Sequence, residues 1–180
     1  MTIIVRKDNI IATDSLIFNG RPESPSIQYE NKIKKNKSGT MVLAYSGNNF
    51  NGNLAKTLDS FSNILYLSML NDKLVTIKDI PVELLNEINS LSENDTDFCI
   101  GFFSKKNTYI IKGFKNKPVI YHHKYDELVY LGSGSEILSN TNIKNLLPVE
   151  LVQLCIKTTS TCNGNINVFN LNNLNEITLT

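Results

Sequence analysis

The stretch that decides the fold is the first fourteen residues, Met1-Thr2-Ile3-Ile4-Val5-Arg6-Lys7-Asp8-Asn9-Ile10-Ile11-Ala12-Thr13-Asp14. Two apolar runs, Ile3–Val5 and Ile10–Ala12, flank a polar Arg-Lys-Asp-Asn segment. Asp and Asn tolerate the left-handed backbone that tight turns need. The stretch therefore predicts a β-hairpin that begins at Thr2 and ends on Asp14.

Thr2 stands at the start of this hairpin, on a sheet edge rather than in a trailing tail. Removal of Met1, which a small second residue such as Thr permits, would leave Thr2 with a hydroxyl nucleophile and a free α-amine. That amine has an ordinary pKa of ~7.7–8.0, which suits a general base at neutral pH. Thr2 is therefore a candidate nucleophile with its own base, whereas a retained Met1 would remove the base.

The rest of the chain alternates groups of strands with pairs of helices. Strands are predicted at Ile27–Lys35, Thr40–Ser46, Phe98–Phe103, Tyr109–Gly113, Pro118–Tyr121, Leu128–Leu131 and Ile166–Phe169, and helices at Leu54–Leu70, Pro81–Leu91, Ser135–Leu146 and Pro148–Thr158. Consecutive apolar residues in several strands indicate that both faces are covered. We therefore predict one domain, residues 1–180, of the α/β (α+β) class. Its architecture would be a four-layer αββα sandwich, with two packed antiparallel sheets flanked by helix pairs.

Charge and hydropathy argue against two classes of partner. The net charge is +1, and the one basic cluster has no interleaved aromatic residues (Lys32, Lys34, Lys35, Lys37). A solvated strand edge is the better interpretation of that cluster than nucleic-acid binding. The sequence has no apolar stretch of about eighteen residues and no signal peptide, so we expect no membrane association.

Cysteine and histidine give no pattern typical of a metal site. The three cysteines lack metal-ligand spacing and are typical of reduced thiols in a cytoplasmic protein (Cys99, Cys155, Cys162). The adjacent pair His122 and His123 would face opposite sides of a strand, so the two cannot easily join one ligand set. We expect no metal and no cofactor.

Four separated pieces share a characteristic order and spacing: the hairpin to Asp14, Asn31–Lys34, Val42–Gly47 and Leu131–Ser135. Together they resemble the proteasome β-subunit and HslV peptidase group of N-terminal nucleophile (Ntn) hydrolases. The likeness runs from Thr2 to about Phe169 and is greatest to small bacterial and phage-type relatives that start Met-Thr without a propeptide. The resemblance implies the same sandwich and a threonine-type peptidase.

By this resemblance, Lys32 matches the lysine beside the nucleophile, and Asp14 matches the acid that keeps that lysine charged. An ammonium about 4 Å from Thr2 would lower the pKa of the α-amine and favour the alkoxide, by about 4 kcal/mol at an effective dielectric near 20. We expect Lys32 Nζ within reach of both Thr2 and Asp14. The structural alternatives are a surface lysine in a Lys-rich strand and an aspartate that ends a strand.

Two further positions follow from the same resemblance. Ala44 falls where the family has a glycine whose backbone N–H lines the oxyanion hole, and only that N–H is needed chemically. Ser133, in Gly132-Ser133-Gly134-Ser135, matches the serine that hydrogen-bonds the nucleophile's amine. Rival interpretations of this segment are an anion nest and a simple strand-to-helix turn with Ser135 as the N-cap. A nucleotide site is not indicated, because the Walker pattern is missing.

The segment Thr158–Gly164 departs from the family pattern. Proteasome subunits place an Asp and a Ser there, whereas this chain has no carboxylate. Thr159 or Ser160 falls nearest the Asp, and Cys162 falls nearest the Ser. Hydroxyl groups can hold the amine but stabilise its protonated form less well.

The resemblance also implies partners. Substrates would be peptides or unfolded proteins, and the chain would form a homo-oligomeric ring or stacked assembly, with an ATP-dependent unfoldase in some relatives. The apolar helix at Leu54–Leu70 offers a surface to bury between subunits. One alternative is a catalytically inactive subunit that serves as assembly scaffold or binding shell; another is a small-molecule amidase with the same nucleophile.

Overall fold

The computed structural model describes residues 2–19, 26–29, 31–46, 52–92, 98–113, 118–139, 143, 145–159 and 162–180. The strands are β1 Ile4–Lys7, β2 Ile10–Asp14, β3 Leu16–Asn19, β4 Ser26–Tyr29, β5 Ile33–Lys35, β6 Val42–Ser46, β7 Phe98–Phe103, β8 Asn107–Gly113, β9 Val119–Lys124, β10 Val129–Leu131, β11 Ile166–Asn170 and β12 Asn175–Leu179. The helices are α1 Gly52–Leu70, α2 Val82–Ser92, α3 Ser135–Ser139 and α4 Pro148–Thr158, with a short 3₁₀ turn at Ile77–Asp79.

Ten of these strands form two antiparallel sheets. The first has the order β10-β1-β2-β11-β12, and the second has the order β5-β6-β7-β8-β9. Strands β3 and β4 form a separate two-stranded ribbon. The N-terminal hairpin therefore lies in the middle of the first sheet, between two strands from the C-terminal half of the chain.

Alternation along the strands produces three apolar layers. Ile4 of β1 faces the second sheet, whereas Val5 and the preceding Ile3 face α4. In β6, Val42 and Ala44 face the first sheet, while Leu43 faces α1 and α2. Since successive side chains point to opposite faces, each strand contributes to two layers. The predicted four-layer αββα sandwich is confirmed.

The turn of the first hairpin is tighter than the sequence predicts. Arg6 and Lys7 belong to β1, and only Asp8 and Asn9 form the turn, with Asp8 at φ +52°. Arg6 is fully buried rather than part of a polar loop. The prediction treated charge as a sign of exposure, but the neighbouring sheet supplies acceptors for the guanidinium.

The predicted strand Ile27–Lys35 is two strands in different sheets, β4 and β5. Between them, the Asn31 side chain accepts a hydrogen bond from the Ile33 N–H, at 2.9 Å. Such a local bond offers the backbone an alternative to the ladder, so the strand is interrupted there. Strand β2 ends at Asp14, as predicted, and β3 begins after Ser15 in the separate ribbon.

Two C-terminal predictions also need correction. The helix expected to reach Leu146 ends at Ser139 in the described residues, and 145–147 are not helical. Leu147 is extended, with ψ 156°, because it precedes Pro148. The sequence also missed β12, whose five residues are all exposed and therefore show no apolar face. None of the helices within the described ranges is long and apolar enough to cross a membrane.

Candidate active site

Thr2 is held by both of its backbone polar groups. Its N atom donates to Ser133 Oγ at 3.2 Å, and its carbonyl oxygen accepts from the Gly134 N–H at 3.3 Å. The segment 132–135 follows β10, which pairs with β1, so the sheet itself delivers Ser133 to the start of the hairpin. Thr2 is 5 % exposed. The predicted approach of Ser133 to Thr2 is present, and its catalytic role stays a prediction.

Gly132 allows this close approach. Its φ is +91°, and a Cβ on Gly132 would overlap the Thr2 carbonyl oxygen. A side chain is therefore disfavoured by both backbone conformation and space. Because the Gly134 and Ser135 N–H groups donate to Thr2 and Gly132, respectively, they are already engaged within the chain. This engagement does not favour the anion-nest interpretation.

Asp14 connects the hairpin to the second sheet. Its Oδ1 accepts from the Ile3 N–H at 2.9 Å and from Lys32 Nζ at 3.0 Å. Its Oδ2 accepts from the Asn163 N–H at 3.4 Å. The carboxylate is fully buried and lies beside the peptide unit that follows Thr2. A single oxygen atom of Asp14 thus joins the start of the hairpin to Lys32.

Lys32 is also buried, at 2 % exposure, so the surface-lysine alternative is wrong. Burial lowers the pKa of Lys32, because the ammonium loses hydration, while the charge and hydrogen bond of Asp14 and the nearby Cys162 oppose that shift. The expected contact with Asp14 is present. The expected contact between Lys32 Nζ and Thr2, and the role of Lys32 in catalysis, stay predictions.

Ala44 lies inside β6, between Ile33 of β5 and Gly101 of β7. The next residue, Tyr45, donates its N–H to the Lys32 carbonyl at 3.4 Å, on the β5 side. Since successive N–H groups of a strand point to opposite sides, the Ala44 N–H points toward Gly101. A role for this N–H at an oxyanion would require it to leave the sheet ladder. That role stays a prediction from resemblance.

The C-terminal segment that departs from the family pattern contributes Asn163 to the surroundings of Asp14. Asn163 supplies a backbone N–H to Asp14, and its carbonyl accepts from the Leu16 N–H at 3.1 Å. Thr159 ends α4, with its N–H on the Cys155 carbonyl at 3.0 Å, and Ser160 lies outside the described residues. A backbone N–H therefore reaches the acid from the segment where the family pattern has side chains.

Two buried thiols lie behind the Ser133 segment. Cys155 Sγ donates to the Gly134 carbonyl at 3.5 Å, and a Cβ on Gly134 would come within 3.1 Å of Cys162 Sγ. Burial first, then the nearby Cys162 and Asp14, raises the pKa of Cys155 to about 12. A thiol in that state is a poor nucleophile at neutral pH.

Sequence reasoning missed three groups of this site. The Ile3 N–H contact with Asp14 follows from the hairpin register, in which Asp14 lies opposite Ile3. The Asn163 N–H had no sequence signal. Ser46 also comes close to Thr2: a Cβ on Gly132 would lie 3.2 Å from Ser46 Oγ as well as on the Thr2 carbonyl oxygen. Strand alternation from Ala44 places Ser46 on the same face of β6.

The two histidines lie elsewhere, on β9. His123 Nδ1 is 2.8 Å from Glu127 Oε2, and the His122 ring packs on Tyr109. Burial lowers the pKa of His122, assisted by the nearby His123. Within the portion of the chain that the structure describes, no group of three His, Cys, Asp or Glu residues could hold a metal ion.

Solved structures share the architecture over almost the whole chain. HslV from Trypanosoma brucei superposes with a TM-score of 0.58 at 15% identity, covering 93% of this chain and 97% of its own. Anbu, described as an ancestral beta-subunit, from Yersinia bercovieri gives 0.54 at 13% identity, covering 99% and 86%. Anbu from Hyphomicrobium sp. strain MC1 gives 0.53 at 12% identity, covering 100% and 88%.

The chain has the Ntn-hydrolase fold. No protein-family model and no curated protein sequence matches it. At sequence identities of 12–15%, the likeness to these structures shows the fold alone. The chemistry of this chain must therefore be argued from its own residues.

Proposed function

We propose that the chain is a threonine-type peptidase in which Thr2 becomes the nucleophile after Met1 is removed. The observation that carries the proposal is the shared Asp14 oxygen, which accepts from both Lys32 Nζ and the Ile3 N–H. A buried ion pair is costly to maintain unless hydrogen bonds satisfy it. Here it is placed one residue from a threonine whose N atom is already oriented by Ser133.

The reaction uses the two functional groups of Thr2. The α-amine accepts the hydroxyl proton as Oγ adds to the carbonyl carbon of a peptide bond, and the carbonyl π electrons move to oxygen. The tetrahedral adduct collapses and expels the amine of the substrate, which takes up the proton held by the Thr2 α-amine. Water then hydrolyses the ester between the acyl group and Thr2 Oγ. This hydrolysis releases the carboxylic acid product and regenerates the Thr2 hydroxyl.

Lys32, Asp14 and Ser133 each support that step. The Lys32 ammonium stabilises the developing alkoxide and lowers the pKa of the α-amine through like-charge repulsion. Asp14 keeps Lys32 protonated against the effect of burial. Ser133 Oγ, 3.2 Å from the Thr2 N atom, holds the amine in place.

The proposed substrates are peptides or unfolded proteins, and the proposed working form is a homo-oligomeric ring or stack. The support is the fold shared with HslV and with the Anbu beta-subunit. Exposed apolar residues on the outer face of α1 and beyond it are consistent with burial between subunits (Ile64, Leu67, Leu70, Leu74). An ATP-dependent unfoldase is proposed only by extension from the family resemblance.

An inactive proteasome-like subunit that acts as scaffold or binding shell is the second candidate. It is favoured by the near-complete burial of Thr2 and by a segment, Thr158–Gly164, that has no carboxylate. Burial reduces the access of a substrate to Thr2. The missing carboxylate leaves the protonated amine of Thr2 less well stabilised.

The deciding experiment is labelling by a trileucine epoxyketone, a reagent that needs a hydroxyl and an α-amine on one residue. Intact mass first establishes that Thr2 is the terminus. We expect one adduct on Thr2, lost in Thr2→Ala and retained in part in Thr2→Ser. Labelling should fall below about pH 7 as the α-amine becomes protonated.

Lys32→Met provides the internal test of the electrostatic role. It removes the ammonium but keeps much of the buried volume, and we expect labelling slowed by about 10²-fold or more. A protein that has lost Met1, is folded and forms no adduct would favour the scaffold instead.

A further inference from the structure

A peptidase of this kind needs a donor for the oxyanion that forms when Thr2 attacks. The Ala44 N–H, the donor expected from resemblance, points toward Gly101 of β7. The tetrahedral adduct then lacks an evident partner on β6, although preorganised donors at this position are a large part of catalysis in acyl transfer.

Ser46 is in the right layer to replace it. Ala44 packs between the two sheets, and Ser46, two residues further along β6, projects from the same face. Thr2 lies two residues before Ile4, which also packs between the sheets, so strand alternation places Thr2 on the same face as Ile4. The side chains of Thr2 and Ser46 therefore lie in one layer, from opposite sheets. Ser46 pairs with Cys99, where the ladder between β6 and β7 ends.

Gly132 lies between Ser46 and the Thr2 carbonyl oxygen and shows that the two are near each other. A Cβ on that glycine would touch Ser46 Oγ at 3.2 Å and overlap the Thr2 carbonyl oxygen. Ser46 is partly exposed, whereas Thr2, Asp14 and Lys32 are buried. Ser46 is therefore the most accessible of these four residues to a substrate that approaches Thr2.

We propose that the Ser46 hydroxyl is a catalytic residue of this chain and donates the hydrogen bond that stabilises the oxyanion. As Thr2 Oγ bonds to the carbonyl carbon, its proton passes to the Thr2 amine. The carbonyl π pair becomes an oxygen lone pair that accepts from Ser46 Oγ–H. Nothing is transferred from Ser46, whose hydrogen bond weakens again when the carbonyl re-forms. The assignment rests on the proposed function.

The test follows epoxyketone labelling of protein whose mass proves a Thr2 terminus, because the hydroxyl adds to the ketone before the amine opens the epoxide. Ser46→Ala should reduce the maximal rate of adduct formation by about 10²–10³-fold, while the concentration for half-maximal rate changes little. Ser46→Thr keeps the hydroxyl and should restore most of the rate. Ser60→Ala is the control, since that hydroxyl donates to Lys56 O on the surface of α1.

The pH profile separates a donor from a structural residue. Ser46→Ala should lower the rate without moving the apparent pKa of the α-amine, whereas Lys32→Met should move that pKa upward. Labelling of wild type with an unchanged rate in Ser46→Ala would overturn the Ser46 assignment and leave the peptidase standing. Absence of labelling in wild type would overturn both. If Ser46→Ala fails to fold, the labelling rates of Ser46→Thr and Ser46→Val are compared instead. The Thr variant keeps the hydroxyl and should label faster than the Val variant, and equal rates would overturn the assignment.

Discussion

The two ends of the β1–β2 hairpin each bury one cation that joins the two sheets. At the open end, Lys32, immediately before β5, meets Asp14 of β2 beside Thr2. At the turn end, Arg6 of β1 reaches across to Ser104 and Thr108 of the second sheet's β7–β8 hairpin. One short hairpin thus carries two buried positive charges in different surroundings.

The surroundings differ in whether the partner is charged. Arg6 donates to neutral acceptors: the Asp8 carbonyl at 2.9 Å, the Ser104 carbonyl at 3.2 Å and the Thr108 hydroxyl. Burial lowers the pKa of Arg6 to about 10, with Asp8 opposing. Lys32 instead has a buried carboxylate. The turn end thus joins the two sheets through neutral acceptors, whereas the open end places an ion pair beside the peptide unit that follows Thr2.

Removal of the carboxylate should give the largest effect. Asp14→Ala leaves the Lys32 ammonium buried without a counter-charge, and we expect the free energy of unfolding to fall by about 3–5 kcal/mol. Urea denaturation measures the loss. The double variant Asp14→Ala with Lys32→Met should regain part of it, because the orphaned charge is gone.

The matched control is Glu127→Gln, which breaks the exposed pair with His123. An exposed pair is screened by water and should change stability little. If Asp14→Ala is no worse than this control, the open end is not an ion-pair site and the comparison between the two ends fails.

Arg6→Met should have an intermediate effect on stability and little on chemistry. The Ser104 carbonyl and Thr108 hydroxyl lose a donor, at about 1–3 kcal/mol, partly offset because a guanidinium is no longer buried. Epoxyketone labelling of Thr2 should stay within a few-fold of wild type. A folded Arg6→Met that no longer labels would show that the turn end takes part in the reaction.

The smallest effect is a difference in pH dependence. The lowered pKa of Lys32 means that the unfolded chain keeps this proton up to about pH 10.5, while the folded chain releases it earlier. Stability of wild type should therefore rise relative to Lys32→Met as the pH increases toward 10, by at most about 1.4 kcal/mol per pH unit. The pKa of Arg6 is lowered to about 10, so proton release from Arg6 affects stability only near pH 10. Below that pH, the difference between the two proteins reports on Lys32. Parallel curves for the two proteins would contradict the assignment.

The sequence predicted the structure well where the residues that decide it are close together along the chain. Consecutive apolar residues predicted that both faces of β1 are covered, and the hairpin placed Asp14 near Thr2. The family resemblance placed Lys32 against Asp14 and Ser133 against Thr2.

Sequence failed for groups whose partner is distant along the chain, and for two features that the hydrophobic pattern does not mark. Burial of Arg6 depends on acceptors about a hundred residues away, and the Asn163 N–H reaches Asp14 from nearly 150 residues away. The split at Asn31 depends on a side-chain hydrogen bond to Ile33 that competes with strand pairing. The edge strand β12 is exposed throughout, so hydrophobic periodicity has nothing to detect.

The order of strands has a consequence for biosynthesis. The hairpin that leads the chain is flanked in its sheet by β10 and β11, and the groups that hold Thr2 and Asp14 include Ser133 and Asn163. A ribosome completes the first hairpin early, but its neighbours emerge only when most of the polypeptide has been made. The surroundings of Thr2 therefore stay incomplete through most of translation, until the last segments of the chain close the sheet around the first.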